Sequence, residues 1–397
     1  MSDNRTPHDG GSDEPLSRAG DPELISPSSP AGPPLGDGDT PPPGRRKRVP
    51  SKGPVRRHPI LLAVATVLVL LTGTTGGYLW YLNHQLGNIQ RVDAGIKENP
   101  DLNGHENGKP LNILLLGADN GDGQTQSVAQ DMSDGKWTPG AHRSDTMMIA
   151  HIPADRKSIQ LVSIPRDTWV KIKGYPYNNG FAKINAAFSY GGPPMARQTV
   201  ESLTGIHIDH LAIIDWAGFK DLTTALGGIR VYIPETFYDD SQRITWEKGW
   251  HTFEGQQALA YVRTRHGLTN GDFDRIKRQQ NFIRATMSKL LSGGTTHNPI
   301  QLSKVVGVIT RYLTVDNTWD NGEIRSLALA MRNIHTQNVD FLTAPFGSYD
   351  TSNDGQSIVR LAPAKSKALF KAVADDDVQS YLDKYPKAAL AGSRSIN

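Results

Sequence analysis

The chain has 397 residues, no cysteine, and 43 Lys/Arg against 40 Asp/Glu, for a net charge of +3. Disulfide scaffolds and thiolate metal sites are therefore excluded. Residues 1–57 carry nine cations and eight anions, which leaves 34 and 32 for the remainder. A near-neutral remainder is a poor match for a nucleic-acid binder, which needs a broad basic face to neutralise many phosphates.

Residues 1–57 run through "PSSPAGPPLGDGDTPPPG" with few aromatic or branched apolar residues. Such a segment buries too little surface to offset its ordering entropy and reads as a disordered arm. From Ile60 to Leu82 no residue is charged, and a helix of that length covers the roughly 30 Å hydrocarbon layer. Residues 58–83 are thus expected to be a transmembrane helix rather than a cleaved leader, which would be shorter and end in a small-residue cleavage site. Arg45, Arg46, Lys47, Arg48, Lys52, Arg56 and Arg57 precede it, whereas Arg91 and Lys97 follow. That bias holds the N-terminus in the cytoplasm and places the rest outside, at the cell membrane.

Residues 84–110 are polar, with Gly and Asn punctuation, and read as an extracytoplasmic stalk. "LNILLLGA" (111–118) is a short apolar run ending at Gly117 and Asp119, the pattern of a strand buried on both faces. "DTMMIAHI" and "SIQLVSI", joined by "PADRK", read as a hairpin. "PPMARQTVESLTG" and "WAGFKDLTTALGG" carry helix signals, and "HLAIID" and "GIRVYI" read as strands alternating with them. The expected class is α/β: a central mixed sheet with helices on both faces, in a domain spanning 111–375, followed by a tail at 376–397.

"YVRTRHGLTNGDFDRIKRQQ" (261–280) concentrates cations. Read as a strand, "ALAYVRTR" puts Leu259, Tyr261, Arg263 and Arg265 on one face. The following "DFDRIKRQQNFIRATMSKLL" has helical spacing, with Ile276, Ile283, Met287 and Leu290 apolar and Arg275, Arg278 and Gln279 at i, i+3 and i+4 on another face. Either an anion such as phosphate sits among these guanidinium groups, or they form a solvated face balanced by Asp272 and Asp274. Asp119 and Asp145 sit at strand ends, where carboxylates serve either as turn residues or as ligands of a hard cation. "SIPRD" puts Arg166 and Asp167 directly after a strand, as a local ion pair or as part of the same site. Lys183, in a loop before a helix, is either a phosphate contact or simply exposed. No G-x-S-x-G or G-x-x-x-x-G-K-[ST] pattern occurs, and His207 and His210 are spaced to point to opposite faces of a strand.

"NILLLGAD", "RSDTMMIAHI", "VSIPRDTWV", "KINAAFSYGG", "TVESLTGIHIDH", "GFKDLTTALGGIRV", "LAYVRTR" and "GDFDRIKRQQ" occur in the order seen in the LytR-CpsA-Psr family. The chain resembles that family closely over 111 to about 290, and "VDFLTAPFGSYDTSNDGQSIV" extends the resemblance to about 375. The resemblance implies a membrane-anchored phosphotransferase that moves an anionic glycopolymer from a polyprenyl-pyrophosphate carrier onto peptidoglycan through a phosphodiester bond. It implies Asp119 and Asp145 as ligands of Mg²⁺ (or Mn²⁺), and Arg166, Arg265, Arg275 and Asp272 as catalytic residues. It places Arg143, Lys183, Arg263, Arg278 and Gln279 around the pyrophosphate. The membrane and peptidoglycan are then the partners, with no nucleic acid. The alternatives are a polyprenyl-pyrophosphate hydrolase, since water and an acceptor hydroxyl attack the same phosphorus, and a non-catalytic wall-polymer binding protein. Two departures from the family stand out: a polar insertion at 120–142, and Asn120 where an Arg often follows the Asp.

Overall fold

Alternation along a few apolar strands builds the centre of the molecule. The computed structural model describes residues 59–97, 108–119, 128–264 and 272–396, with the side chains of 59–71 and Asp272 outside the description. Helix α1 (Pro59–Leu86) leads into β1 (Gln90–Val92), β2 (Leu111–Asp119), α2 (Val128–Ser133), β3 (Arg143–Ile152) and β4 (Ile159–Ser163). Next come β5 (Trp169–Lys171), β6 (Phe181–Lys183), α3 (Asn185–Thr204), β7 (His210–Asp215) and α4 (Trp216–Ala225). The short strands β8 (Ile229–Ile233), β9 (Phe237–Asp239), β10 (Ile244–Trp246) and β11 (Gly249–Phe253) precede α5 (Gly255–Arg263) and α6 (Asp272–Leu290). The chain finishes with α7 (Gly293–Thr296), α8 (Pro299–Tyr312), β12 (Leu313–Asp316), α9 (Asn321–Ala330), β13 (Val339–Thr343), β14 (Phe346–Thr351), β15 (Ser357–Leu361), α10 (Pro363–Ala374) and α11 (Val378–Lys384).

Seven strands form the main sheet in the order β1-β12-β7-β2-β3-β4-β13. The pairing is mixed, as expected: β2 runs parallel to β7 and antiparallel to β3, and β4 runs parallel to β13. Leu114, Leu116, Met147, Ile149, Val162, Leu211 and Ile213 join one core with Phe188, Ala196 and Val200 of α3 and Leu369, Phe370 and Val373 of α10. The intervening residues Ile113, Ala150, Ile152, Leu161 and Ala212 join a second core against Ile283 and Met287 of α6 and Ile324 and Leu327 of α9. Period-two alternation thus loads both faces of the sheet.

Helix ends follow local chemistry. The Asp215 side chain accepts from Gly218 N at 2.7 Å and caps α4. Asp320 and Glu323 form a reciprocal capping box on α9. Within α3, Gly192 has φ +66° where the helix breaks before Pro193 and Pro194.

Three expectations need correction. The stalk at 84–110 is partly domain: β1 pairs in parallel with β12 at the sheet edge, Ile89, Val92 and Ala94 are buried, and Arg91 donates to Trp319 O and Asn321 Oδ1. Its three-residue strand is too short and polar to register as a periodic pattern. The tail at 376–397 packs on the opposite edge, where Leu390 N donates to Phe341 O and Ala389 bridges Leu342. "GIRVYI" does not enter the main sheet but pairs with β11 in a separate ribbon, over a third core containing Tyr261, Val262 and Phe282. Among the described residues no helix is long and apolar enough to cross a membrane. The run from Ile60 that carries the transmembrane expectation lies, up to residue 71, outside the described side chains.

Candidate active site

The site forms where β2 ends and β3 begins. Asp119 lies opposite Arg143 in register, and a bulge between Gly117 and Ala118 leaves Asp145 as the extra residue on β3. Both carboxylates therefore sit at the same end of adjoining strands. Gly117 permits this closeness: a Cβ there would lie 3.0 Å from Thr146 Cβ. Next door, β7 ends at Asp215 opposite Ala118, and Trp216 follows immediately.

Four further segments bring cations to this edge. Arg263, the last residue of α5, pairs with Asp119 and stacks on the Trp216 ring with its guanidinium 5.2 Å from the centroid. Arg166, just past β4, pairs with Asp145, and its Nε lies 3.6 Å from Asp167. Lys183, on β6 rather than in a loop, reaches Asp167 at 3.3 Å. On α6, Arg275 and Gln279 are buried one turn apart, and Gln279 donates to Val262 O at 3.3 Å. A cavity of about 360 Å³ opens between these elements, lined by Asp145, Arg263, Arg275 and Gln279 together with Trp216, Ser241 and Gln242.

The strand expected at "ALAYVRTR" is helix α5: Ala258, Leu259, Tyr261 and Val262 are buried, a helical rather than alternating pattern. Arg263 still reaches the site, delivered by a helix end. Arg278 does not line the cavity. It is fully buried, donates to Thr264 O at 3.2 Å, and lies over the rings of Phe237 and Tyr261 at 4.7 and 5.2 Å. Burial pushes the Arg278 guanidinium down from its ordinary range and the Tyr261 hydroxyl up. Burial also pushes the Asp239 carboxyl up, but hydrogen bonds from Ser241 and Gln242 outweigh it and hold the group below the usual range. Arg143 is exposed at the start of β3. Arg265 and the Asp272 side chain lie outside the described residues.

Trp216, Ser241 and Gln242 have no counterpart in the sequence expectations. Trp216 follows a strand-end aspartate, the same signal that singled out Asp119, whereas Ser241 and Gln242 lie in the irregular turn between β9 and β10 and carry no spacing signal.

Asp119 and Asp145 supply hard oxygen donors on adjoining strand ends, and among the described residues no third His, Asp or Glu joins them. Such a sparse set fits Mg²⁺, which keeps waters and substrate phosphates in its remaining positions.

The LytR_cpsA_psr family model matches residues 79–374. The chain is 36% identical over 266 residues to the "Probable cell wall biosynthesis protein LcpB" of Corynebacterium glutamicum, covering 66% of this chain and 60% of that protein. Identity to the cell wall biosynthesis protein LcpA of the same organism is 31% over 353 residues, covering 79% of this chain and 65% of LcpA. The matches thus span less than two thirds of either Corynebacterium protein. The polyisoprenyl-teichoic acid–peptidoglycan teichoic acid transferase TagU of Enterococcus faecalis is 32% identical over 275 residues, covering 69% of this chain and 82% of TagU. The crystal structure of Bacillus subtilis TagV superposes with a TM-score of 0.55 at 26% identity, covering 68% of this chain and 97% of that one. With three quarters of its length matched by the family model, the chain belongs to the LytR-CpsA-Psr family.

Proposed function

We propose that this protein is a membrane-anchored phosphotransferase that moves an anionic glycopolymer from a polyprenyl-pyrophosphate carrier onto peptidoglycan through a phosphodiester bond. Its catalytic domain lies outside the cell, held by a single span at 58–83 with the N-terminus in the cytoplasm. The observation that carries the assignment is the cavity that gathers Arg263, Arg275, Gln279 and Asp145 at the strand ends. A pyrophosphate fits that lining, because guanidinium forks match phosphate oxygens and catalysis of phosphoryl transfer is mostly positioning and charge stabilisation. The name of TagU, a teichoic acid transferase, supports the same chemistry.

In this scheme an acceptor hydroxyl attacks the phosphorus that bears the polymer, and polyprenyl phosphate leaves. Arg275, buried in the cavity wall, and Arg265 stabilise charge on the leaving phosphate. Arg263 and Arg166 neutralise the bound pyrophosphate, while Gln279, fixed by Val262 O, orients it. Lys183 holds Asp167 and orders the segment that carries Arg166. Asp119 and Asp145 would hold Mg²⁺ (or Mn²⁺), which supplies neutralising charge beside the phosphates when bound.

The test follows lipid phosphate release and saccharide attachment together, using the full chain in detergent, Mg²⁺, a polyprenyl-pyrophosphate-linked saccharide and peptidoglycan oligomers. Arg275→Ala is expected to lower both by about two to three orders of magnitude, as loss of one preorganised charge donor does, in a chain that circular dichroism shows to be folded at the assay temperature. Near-normal turnover would remove Arg275 from the site. Lipid release without attachment would make the protein a hydrolase.

A further inference from the structure

Helix α4 separates two cavities. Trp216, its first residue, lines the active-site cavity, and Ala225, its last, lines a second one of about 660 Å³. The walls of the second include Tyr81 and Gln85 of α1, Asp221 of α4, and Lys304, Gly307 and Arg311 of α8. The three α8 residues stand at i, i+3 and i+7, on one stripe of the helix. Gly307 keeps the middle of that stripe open, since a Cβ there would meet nothing within 4 Å. Among the described residues neither Lys304 nor Arg311 has a carboxylate partner. Asp221 already accepts from the Tyr312 hydroxyl at 2.7 Å, so the groove sets two unpaired cations against one engaged carboxylate.

Depth identifies what reaches this groove. The Tyr78 hydroxyl donates to Pro299 O at 2.9 Å, which sets the first residue of α8 beside Tyr78. Both helices run from there in the same direction, and the chain continues from each into the parallel strands β1 and β12, where Gln90 pairs with Thr314. At about 1.5 Å per residue, Asn83 and Lys304 each stand about 7.5 Å beyond that contact. Asn83 is the last residue of the proposed span, and Arg325 donates to its Oδ1 at 2.8 Å. Lys304 is therefore level with the hydrocarbon boundary. Arg311 lies about 10 Å farther out, across a headgroup layer about 5–7 Å thick. Leu79, Trp80 and Ile300, below the level of Lys304, are 60%, 67% and 70% exposed, an apolar and aromatic belt at the depth where lipid covers it.

We propose that the groove between α1, α4 and α8 holds the headgroup of an anionic bilayer phospholipid; this rests on the span at 58–83 and not on the transfer chemistry. Lys304, at the boundary, meets the lipid phosphate as a compact point charge. Arg311 and Gln85 offer donors, and Asp221 an acceptor, to a hydroxylated headgroup such as glycerol. The excess of cations selects an anionic lipid over a zwitterionic one. The bound lipid also sets the height of the active site. Ala225 O accepts from Gln301 in the first turn of α8, at the bilayer end of α4, so Trp216 and the active-site cavity stand about 14 Å farther out along that helix.

The experiment is native mass spectrometry of the full chain in detergent micelles, titrated with phosphatidylglycerol or phosphatidylcholine. One phosphatidylglycerol is expected to be retained about tenfold more tightly than phosphatidylcholine, and Lys304→Gln to weaken it about fivefold, the size of one cation's attraction near a bilayer surface. Gly307→Leu fills the groove without changing charge and replaces a poor helix former with a good one. It is expected to abolish the preference in a chain that circular dichroism shows to be folded. Equal retention of the two lipids, or a preference that survives Gly307→Leu, overturns the site. Tighter retention of undecaprenyl phosphate than of phosphatidylglycerol would make it a carrier site, and displacement by equimolar inorganic phosphate a free-anion site; either overturns the proposal. A full chain that stays monodisperse without detergent refutes the span and the lipid site with it, whereas a chain that needs detergent yet shows no lipid preference refutes the site alone.

Discussion

Arg278 separates a buried cation from a substrate contact, and its replacement has a calculable cost. Arg278→Ala removes a long side chain from a fully buried position, where large-to-small changes cost about 2–5 kcal/mol. It also removes contacts with two rings, worth about 1–2 kcal/mol, and a charged hydrogen bond to Thr264 O worth about 1.5–3 kcal/mol. Against this stands the return of a guanidinium to water, a relief of several kcal/mol. The net expectation is a destabilisation of about 2–4 kcal/mol, or a midpoint drop of about 5–15 °C. Arg278→Met keeps the stem and sheds the charge, so it stays within about 1.5 kcal/mol of wild type. Scanning calorimetry on the full chain in detergent gives the midpoints, and the donor KM is measured below them. An unchanged midpoint in Arg278→Ala, with donor KM raised tenfold or more, would show the guanidinium reaching the pyrophosphate and would refute its burial.

A chain beginning at residue 98 lacks β1 and the buried Ile89, Val92 and Ala94, and is expected to lose about 3–6 kcal/mol of stability relative to one beginning at Tyr78; equal denaturation midpoints would mean that β1 adds nothing. His151 is buried between Asn112 and Asp376, and burial holds its ring below the ordinary pKa of 6.5 despite the Asp376 hydrogen bond. Its neutral form therefore contributes stability that is fully present above pH 6.5 and is lost as pH falls through the lower folded value, with a slope of at most about 1.4 kcal/mol per pH unit. His151→Gln should flatten that acid limb in pH-dependent unfolding, and an unchanged limb would exclude His151 as its source. Asp119→Asn deletes the carboxylate partner of Arg263 and is expected to tighten inorganic pyrophosphate binding in EDTA several-fold, by calorimetric titration, since one repelling charge is gone. No tightening would place Asp119 outside the anion's field.

Long, strongly patterned elements were legible from residues alone. The run "LNILLLGA" and the following hairpin are β2, β3 and β4 because strands buried on both faces need uninterrupted apolar residues, and α6 follows its apolar stripe. Short or doubly periodic segments were not. "ALAYV" places apolar residues at spacings compatible with two or three and four, and tertiary packing against Phe282 selected the helix. The helix-face arithmetic for Arg275, Arg278 and Gln279 was sound but too coarse. At 100° per residue, Arg278 and Gln279 straddle Arg275 and stand 100° apart, enough to put one in the third core and the other at the cavity.

The ion pairs at the strand ends explain how a near-neutral domain can hold several cations beside one cavity. Arg263 is paired with Asp119 and Arg166 with Asp145, so each of these two cations brings a carboxylate with it. Arg263 is 43% exposed in its side chain, and pairs this wet are worth only about 0–1 kcal/mol. Under the proposed transfer, substrate phosphate oxygens can therefore take over the Arg263 contact at small cost. Arg275 differs: it is 2% exposed and held in the wall of α6. Its guanidinium is desolvated before any substrate arrives, so under the proposed transfer its interaction with developing phosphate charge is least screened by water. The proposed division follows from position: Arg263, partly exposed at the end of α5, is placed to exchange partners, while Arg275, buried on a helix that packs against the sheet, is placed to provide fixed charge.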